Sequence, residues 1–220
     1  MHRTGDRFPV IRPYVVDEKE VLDLGCVDAY PAREGSDARL ERKPDALFRR
    51  IVETNPNTVG VDIDSNGVRV LVRMGYNVLC ADVETMNLEC KFDTIVAGEI
   101  IEHLENPGLF LRNMHRHLKS DGTIIISTPN PFYTGQTWKI WRYGLPAVHD
   151  EHVNWQDPVT LNQLLRRTGY ETIEGYWVQP KTNLLKTWKR LLQPYFAHSF
   201  MLIARPVAAT AAASCESSAA

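Results

Sequence analysis

Two carboxylates and one imidazole lie in a short segment, VAGEIIEHLENP (96–107), directly after the apolar run DTIVA. If EIIEHL forms a helix, Glu99, Glu102 and His103 stand at positions i, i+3 and i+4 and share one face. Two carboxylate oxygens and one imidazole nitrogen, with no thiolate, suit a divalent cation such as Mg²⁺ or Mn²⁺ better than zinc. The alternative is structural, because glutamates also favour a helix N-terminus through its dipole while the histidine packs near the surface.

A second group of ionisable residues offers the further ligand that such a cation needs. In VHDEHVNW (148–155), His149 and His152 flank two acidic residues. A cation between the two segments has a chemical use, because it can stabilise the anion of a weakly acidic group such as a hydroxyl. A neutral histidine can accept the hydroxyl proton as the new bond forms.

Acidic residues also end three candidate strands. Asp23 lies in VLDLGC, Asp62 in VGVDID and Asp82 in LCADV. Ligands of open α/β sheets bind at the carboxyl ends of the strands, and a carboxylate after the second strand can accept hydrogen bonds from both ribose hydroxyls. An aspartate at a strand end also caps a following helix, so each residue alone has a structural alternative. The three in order indicate a nucleoside site.

Short apolar runs position these residues, and the runs alternate with helical patterns along the chain. This alternation is typical of α/β proteins with a doubly wound, mostly parallel sheet. The candidate strands are EVLDLGC (20–26), TVGVDI (58–63), YNVLCAD (76–82), DTIVAG (93–98) and GTIIIST (122–128). Helices are predicted over 65–75, 107–122 and 157–169 from three- and four-residue apolar spacing and boundary residues. YETIEGYWVQ (170–179) and SFMLIARP (199–206) predict an antiparallel pair at the sheet edge.

The remaining segments complete one predicted domain over 1–206. Residues 129–156 are rich in Trp, Tyr, Phe and Pro, and we expect them to form an aromatic segment on the acceptor side. The basic and apolar stretch 181–196 fits a dimer face, a packing helix or a membrane-surface helix. The Ala- and Ser-rich tail, 207–220, is expected to be disordered.

Composition limits the partners. The chain of 220 residues carries 25 basic and 27 acidic residues, a net charge of −2, so no long-range field attracts a polyanion and nucleic acid is disfavoured. No window reaches the roughly 18 apolar residues of a membrane span, and the N-terminus lacks the apolar core of a secretory signal. These features predict a cytoplasmic protein.

In order along the chain, VLDLGC, GVDID, ADVE, FDTIVAGEIIEHL and LKSDGTIIISTPNP resemble the motifs of class I S-adenosylmethionine-dependent methyltransferases. The resemblance implies a Rossmann-like, seven-stranded sheet whose last strand is antiparallel, with S-adenosylmethionine as the cofactor. It assigns the methionine end to the first turn, the ribose to the second strand and the adenine to the residues after the third. The implied cofactor-binding residues are Asp23, Gly25, Cys26, Asp28, Asp62, Ile63, Asp82 and Val83.

Two departures from this family pattern concern the first turn and the loop after it. The turn reads GCVDA where the family has GxGxG, so Val27 and Ala29 stand at glycine positions. Since glycine allows close backbone approach to a ligand, a wider turn is expected, or a cofactor held partly by Asp28. An apparent insertion, YPAREGSDARLERKPD (30–45), is either a mobile flap over the cofactor or a surface loop.

The E-x-x-E-H arrangement with a later histidine before an aromatic residue resembles the metal-dependent O-methyltransferases. That group includes enzymes that methylate the terminal 2′-hydroxyl of small RNAs, ubiquinone-pathway O-methyltransferases and sugar O-methyltransferases. The resemblance implies metal ligands at Glu99, Glu102, His103 and His152. Catalysis is then expected from Glu102, His103 and His149, with His149 as the general base.

The expected reaction is a cation-assisted methyl transfer to a hydroxyl of a sugar or oligosaccharide, since the chain is similar to small bacterial sugar methyltransferases. A quinone-like phenol, another small natural product or an RNA 2′-hydroxyl are alternative acceptors. A non-catalytic protein that binds S-adenosylmethionine is a further alternative, which the irregular GCVDA turn favours. The expected partners are the small acceptor and a second copy in a homodimer.

Overall fold

One mixed sheet organises the chain. The computed structural model describes residues 1–27, 46–179 and 197–207, and in these ranges eight strands lie in the order β1-β7-β8-β6-β5-β2-β3-β4. The strands are β1 (His2–Thr4), β2 (Val21–Leu24), β3 (Val59–Asp62), β4 (Val78–Cys80), β5 (Phe92–Gly98), β6 (Leu118–Pro129), β7 (Tyr170–Val178) and β8 (Ser199–Pro206). Strand β8 runs antiparallel to both β6 and β7. Within the series β6-β5-β2-β3-β4, all neighbouring strands are parallel to one another. The predicted mostly parallel sheet with an antiparallel last strand is confirmed.

The described sheet has one strand more than the seven expected. Strand β1 pairs in parallel with β7, with His2 opposite Tyr176 and Thr4 opposite Val178. Its three residues are polar and largely exposed, so it carries none of the apolar alternation that marks a strand in a sequence. Contacts with β7 rather than local propensity define this edge strand.

Some of the six described helices begin at starting signals that the sequence supplies. They are α1 (Phe8–Ile11), α2 (Leu47–Thr54), α3 (Ser65–Arg73), α4 (Pro107–His117), α5 (Thr134–Tyr143) and α6 (Pro158–Arg167), with short 3-10 helices at Arg12–Tyr14 and Ile101–His103. Asp64 caps α3 by accepting from the amide of Asn66, and Asp157 forms a capping box with Thr160 at the start of α6. The predicted helices at 65–75, 107–122 and 157–169 are therefore present, with α4 ending earlier than expected because β6 already begins at Leu118.

The two faces of the sheet pack against separate sets of helices. Ile95 on β5 joins a core cluster with Phe110 of α4, and the next residue, Val96, joins a second cluster with Ile51 of α2 on the opposite face. Burial on both faces explains the uninterrupted apolar runs of the central strands. Each fully buried aliphatic side chain contributes roughly 1.5–3 kcal/mol, so these clusters fix the sheet that carries the site.

Several predictions lie outside the described residues. These are the cofactor contact of Asp28, the insertion at 30–45, the basic stretch 181–196 and the tail beyond 207. Within the ranges that are described, no helix has both the length and the apolar character needed to cross a bilayer.

Candidate functional site

A large cleft opens at the carboxyl ends of β2, β3 and β5. Its volume is about 1190 Å³, large enough to hold a nucleoside cofactor together with an acceptor. The predicted residues that the structure describes all line it, which brings the strand-end aspartates and the EIIEHL segment together with the 149–152 segment. They are Asp23, Gly25, Cys26, Asp62, Ile63, Asp82, Val83, Glu99, Glu102, His103, His149 and His152.

Asp23 presents a buried carboxylate to this cleft. Its side chain is 3% exposed, and its Oδ1 accepts no hydrogen bond from any residue in the described part of the chain. Burial raises the pKa of Asp23 well above its usual range, the nearby Asp62 raises it further, and Arg7 opposes the shift. Because buried polar atoms in native proteins almost always have partners, an unpaired carboxylate oxygen facing a cleft indicates a site for a cationic or hydrogen-bond-donating ligand.

The turn after β2 is held by Asp62 rather than by a series of glycines. One carboxylate oxygen of Asp62 accepts from the amide of Val27 at 2.8 Å, and the other accepts from the amide of Asp64 at 2.9 Å. Gly25 has a φ of +74°, a left-handed conformation that glycine adopts without strain, and its amide donates to the carbonyl of Val61. The single glycine is therefore at the position of the turn where the backbone requires one.

Cys26 lies beneath this turn. Its thiol is buried, and burial, followed by the nearby Asp23 and Asp62, raises its pKa. The thiol therefore stays protonated, and its Sγ atom lies only 2.9 Å from where a side chain on Gly60 would start. Packing of β3 against the turn is the contribution that the structure indicates for Cys26.

The adenine candidates Asp82 and Val83 and the ribose candidate Ile63 line another part of the cleft. Asp82 is exposed and caps a turn, since its Oδ1 accepts from the amide of Glu84 at 2.8 Å and its Oδ2 accepts from the hydroxyl of Thr85 at 3.3 Å. The neighbouring Val83 is buried, whereas Ile63 is 73% exposed beside the cleft. An apolar side chain exposed at the edge of a cleft is available to contact a flat ring.

EIIEHL does not form the α-helix that would place Glu99, Glu102 and His103 on one face. Among the described residues, Glu99 is the one non-glycine residue with a positive φ, at +56°, and its amide donates to the carbonyl of Ser127 at 2.8 Å. This bond extends the pairing of β5 with β6 and starts a 3-10 turn at Ile101–His103 instead of an α-helix. The three side chains therefore do not share a helical face.

Glu99 forms an ion pair with a residue that sequence reasoning missed. Arg7 Nη1 lies 3.1 Å from Glu99 Oε1 and donates to the hydroxyl of Ser127 at 3.0 Å. Arg7 also lines the cleft, where its charge acts on Asp23. Nothing local in RTGDRF points to this position, because contacts with distant segments bring it to the site, among them the pairing of β1 with β7 and the ion pair of Asp6 with Arg50.

Glu102 is a buried carboxylate at the centre of the part of the cleft that the EIIEHL and 149–152 segments form. It is 2% exposed, and its Oε2 accepts from the hydroxyl of Thr128 at 2.9 Å. Burial raises the pKa of Glu102 to about 7, with a further raising contribution from Glu99 that the hydrogen bond from Thr128 opposes. This carboxyl group therefore changes charge near neutral pH.

Two histidines complete a group with Glu102. One ligand atom from each of Glu102, His103 and His152 lies within 4.8 Å of the others, and the two rings meet edge to face with centroids 4.7 Å apart. Burial lowers the pKa of both His103 and His152, so both are neutral at pH 7 and have a nitrogen lone pair to offer. One carboxylate and two imidazoles are a common ligand set for a divalent metal.

The 149–154 segment is fastened to the 3-10 turn by its backbone. The amides of Val153 and Asn154 donate to the carbonyl of Glu102, and the side-chain amide of Asn154 donates to the carbonyls of Ile101 and Leu104 at 2.8 and 2.7 Å. His152 is thereby placed beside His103. His149 is exposed, with its ring centroid 5.3 Å from that of His152.

Comparison with known proteins places the chain in a family. Residues 3–174 match the family model described as "Methyltransferase domain". The chain belongs to this family, and its fold is that of S-adenosylmethionine-dependent methyltransferases.

Curated relatives and solved structures agree with this assignment. The chain is 31% identical over 190 residues to a protein of Rickettsia conorii named "Ubiquinone biosynthesis O-methyltransferase", and the match covers 79% of this chain and 58% of that protein. A methyltransferase structure from Mesorhizobium loti superposes with a TM-score of 0.61 at 17% identity over 90% of this chain and 97% of that one. One from Archaeoglobus fulgidus has a TM-score of 0.60 at 18% identity over 90% and 91%. The chain spans less than two thirds of the length of the first curated relatives that it matches.

Proposed function

We propose that this chain transfers a methyl group from S-adenosylmethionine to a hydroxyl oxygen of a quinone-like phenol, with a divalent cation held by Glu102, His103 and His152. The observation that carries the proposal is that this Glu-His-His group and the unpaired carboxylate of Asp23 line the same cleft. The relatives named for ubiquinone biosynthesis support a phenol over the sugar hydroxyl that the sequence alone favoured.

The residues around the first turn fit the cofactor. The unpaired Oδ1 of Asp23 is suited to a ligand ammonium group, and the guanidinium of Arg7 in the same cleft is suited to a carboxylate. Asp62 uses one acceptor position on each carboxylate oxygen for backbone amides and keeps others for ribose hydroxyls. S-adenosylmethionine, when bound, supplies an electrophilic methyl group on a positively charged sulfur.

The second half of the site fits a divalent cation by its donor chemistry. An oxygen from Glu102 and nitrogens from His103 and His152 favour Mn²⁺ over Mg²⁺, because Mg²⁺ prefers oxygen ligands. Three protein ligands leave coordination positions open for the acceptor. A cation held there would lower the pKa of a bound hydroxyl and stabilise its anion.

The chain's own residues account for binding and proton removal. We assign to His149, which lines the cleft next to His152, the acceptance of the hydroxyl proton. Thr128 fixes the orientation of the Glu102 carboxylate, and the backbone bonds from 153–154 keep His152 beside His103. Glu99, expected from the sequence as a fourth ligand, is paired with Arg7, so the proposal uses three.

Calorimetry followed by isotope transfer tests the proposal. S-adenosylhomocysteine should bind the purified protein before and after chelation. Transfer of a labelled methyl group to simple catechols should disappear on chelation and return with Mn²⁺. Methylation of sugars instead of catechols would reinstate the sugar acceptor, and turnover that is unaffected by chelation would remove the cation from the proposal. No transfer to any acceptor despite cofactor binding would favour the binding-only alternative.

A further inference from the structure

Val27, which stands at a glycine position of the family's first turn, packs against a glycine of the neighbouring helix. Its side chain is buried in a core cluster with Val68 and Leu71 of α3. A side chain on Gly67 of α3 would begin 2.9 Å from Cγ2 of Val27 and closer still to Cγ1. Because non-bonded carbon atoms are best separated by about 3.5–4.0 Å, α3 lies this close to the turn only because residue 67 has no side chain.

The Val27 side chain has no rotamer that would make room at residue 67. Two of the three staggered positions on its Cβ are too close to that point, since both γ-carbons clash there. Two methyl groups in three positions always leave at least one of them in conflict, and χ1 of a β-branched residue is stiff. The other atom near that point, Oδ2 of Asp64 at 2.9 Å, ends a side chain that caps α3 through its Oδ1, so it can move aside.

The backbone of Val27 contacts the carboxylate that we assign to the ribose. The amide of Val27 donates to Oδ2 of Asp62 at 2.8 Å in a buried position, while the amide of Asp64 donates to Oδ1 at 2.9 Å. The turn and the start of α3 therefore hold the same carboxylate from two sides. A displacement of the Val27 side chain by α3 would also move its amide, and hydrogen bonds weaken steeply when their geometry is lost.

We propose that Gly67 is a positioning residue for the cofactor. It supplies from α3 the close approach that a glycine at position 27 would supply within the turn, and it thereby keeps the Val27 amide on Asp62. Gly67 is not one of the residues that line the cleft, so it acts through Val27 and Asp62. Its effect on binding rests on the proposed function, in which Asp62 accepts from the ribose hydroxyls.

A double-mutant cycle on the full chain tests the proposal, with the affinity for S-adenosylhomocysteine measured by calorimetry. Gly67→Ala should weaken binding about tenfold, within the range of coupling between residues in contact. In a Val27→Gly background, the same Gly67→Ala change should alter the affinity by less than about twofold, because the methyl groups that it meets are gone. A general loss of stability would not be relieved by a second substitution that removes further apolar packing.

Hydrogen exchange of the Val27 amide, followed by NMR without any cofactor, measures the hydrogen bond to Asp62 itself. In Gly67→Ala this amide should exchange at least about tenfold faster than in the wild type, since exchange reports local opening. Gly108→Ala is the matched control, because Gly108 is also helical and a side chain there would meet only the ends of Arg112 and Leu164, at 3.3 and 3.8 Å. The control should change neither the exchange rate nor the affinity.

Three results would overturn the proposal: Gly67→Ala binding as tightly as the wild type, a Gly67→Ala effect that persists in the Val27→Gly background, or an unchanged exchange rate of the Val27 amide. If Gly67→Ala alone does not fold, the double variant should fold, and its failure to do so counts against the proposal as well. Failure of the wild type to bind S-adenosylhomocysteine would overturn the proposed function instead. The exchange measurement needs no cofactor and would still decide whether Gly67 keeps the Val27 amide on Asp62.

Discussion

Thr128 Oγ1 donates a 2.9 Å hydrogen bond to Glu102 Oε2, and both side chains are almost completely buried. The bond joins the end of β6 to the 3-10 turn after β5, which carries Glu102 and His103 of the Glu-His-His group. A second-layer hydrogen bond of this kind sets the direction in which a carboxylate presents its free oxygen. The geometry of the candidate metal site therefore depends on a residue that cannot itself reach the cleft as a ligand.

Thr128→Val should weaken Mn²⁺ binding about 10- to 100-fold, because loss of an outer hydrogen bond to a ligand typically has that effect. Isothermal calorimetry measures the affinity directly. Thr94→Val is the matched control, since Thr94 on the neighbouring strand is equally buried and donates to the carbonyl of Tyr14 at 2.7 Å. The control should lose a comparable amount of stability and keep its metal affinity; equal affinities in the two variants would contradict the role given to Thr128.

Binding of the cation should depend on pH through Glu102. Burial raises the pKa of this carboxyl from 4.5 to about 7, so a proton competes with the metal below neutrality while His103 and His152, whose pKa values are lowered, stay available. Affinity for Mn²⁺ should fall up to about tenfold per unit as pH drops below about 7 and level off above it. Calorimetry in buffers of different ionisation enthalpy should show release of about half a proton per cation at pH 7. An affinity that is flat between pH 5.5 and 7 would contradict this assignment.

Asp23→Asn should separate stability from cofactor binding. The pKa of Asp23 in the folded protein lies above its ordinary value of 3.8, so the ionised carboxylate destabilises the fold. The stability lost in this way grows as the pH rises above 3.8. The variant should therefore be more stable than the wild type at pH 8, with a smaller difference at pH 5. Urea unfolding at the two pH values measures this.

The same variant should bind S-adenosylhomocysteine at least about tenfold more weakly, because it loses the charge that the ammonium group would meet. Asp64→Asn is a suitable control, since asparagine caps a helix as well as aspartate does and the Asp64 side chain accepts from Asn66 in α3. Unchanged cofactor affinity in Asp23→Asn would remove Asp23 from the binding site.

The elements that the sequence predicted are those defined by local pattern. The short runs 95–97 and 124–126 are apolar at every position because the strands are buried on both faces, and capping residues such as Asp157 mark helix starts. The aspartates at strand ends were also predictable, because the carboxyl ends of parallel strands meet at one edge. Periodicity and strand order suffice for these features.

The conformation of Glu99 and the position of Arg7 could not be predicted from the sequence, because they depend on contacts between distant segments. Glu99 follows β5 in a left-handed conformation because its amide pairs with Ser127 on β6, and no helical spacing in EIIEHL reveals this. Arg7 reaches the cleft through contacts of its segment with distant residues, such as the pairing of β1 with β7 and the ion pair of Asp6 with Arg50. Prediction from spacing therefore grouped Glu99 with His103, whereas the fold pairs it with Arg7.

Arg7→Gln should weaken S-adenosylhomocysteine binding about tenfold or more, since the proposed charge-assisted contact from this half-buried guanidinium to the ligand carboxylate is lost. A variant that merely destabilised β1 would produce the same loss, so Arg50→Gln serves as the control. Arg50 also lines the cleft and is paired with Asp6 at 2.9 Å. Similar losses in both variants would mean that the effect belongs to the N-terminal segment and not to Arg7.

Glu99→Gln and Glu102→Gln test how many carboxylates hold the cation. The sequence predicts that both glutamates are ligands, whereas in the structure only Glu102 groups with His103 and His152 and Glu99 is paired with Arg7. We expect Glu102→Gln to abolish measurable Mn²⁺ binding, because the buried anionic ligand is removed, and Glu99→Gln to change the affinity by less than about threefold, the effect of a nearby charge that is already neutralised by its partner. Electron paramagnetic resonance of free Mn²⁺ quantifies both. If Glu99→Gln also abolished binding, the Arg7 pair would have to open when the cation binds, and Glu99 would become the fourth ligand.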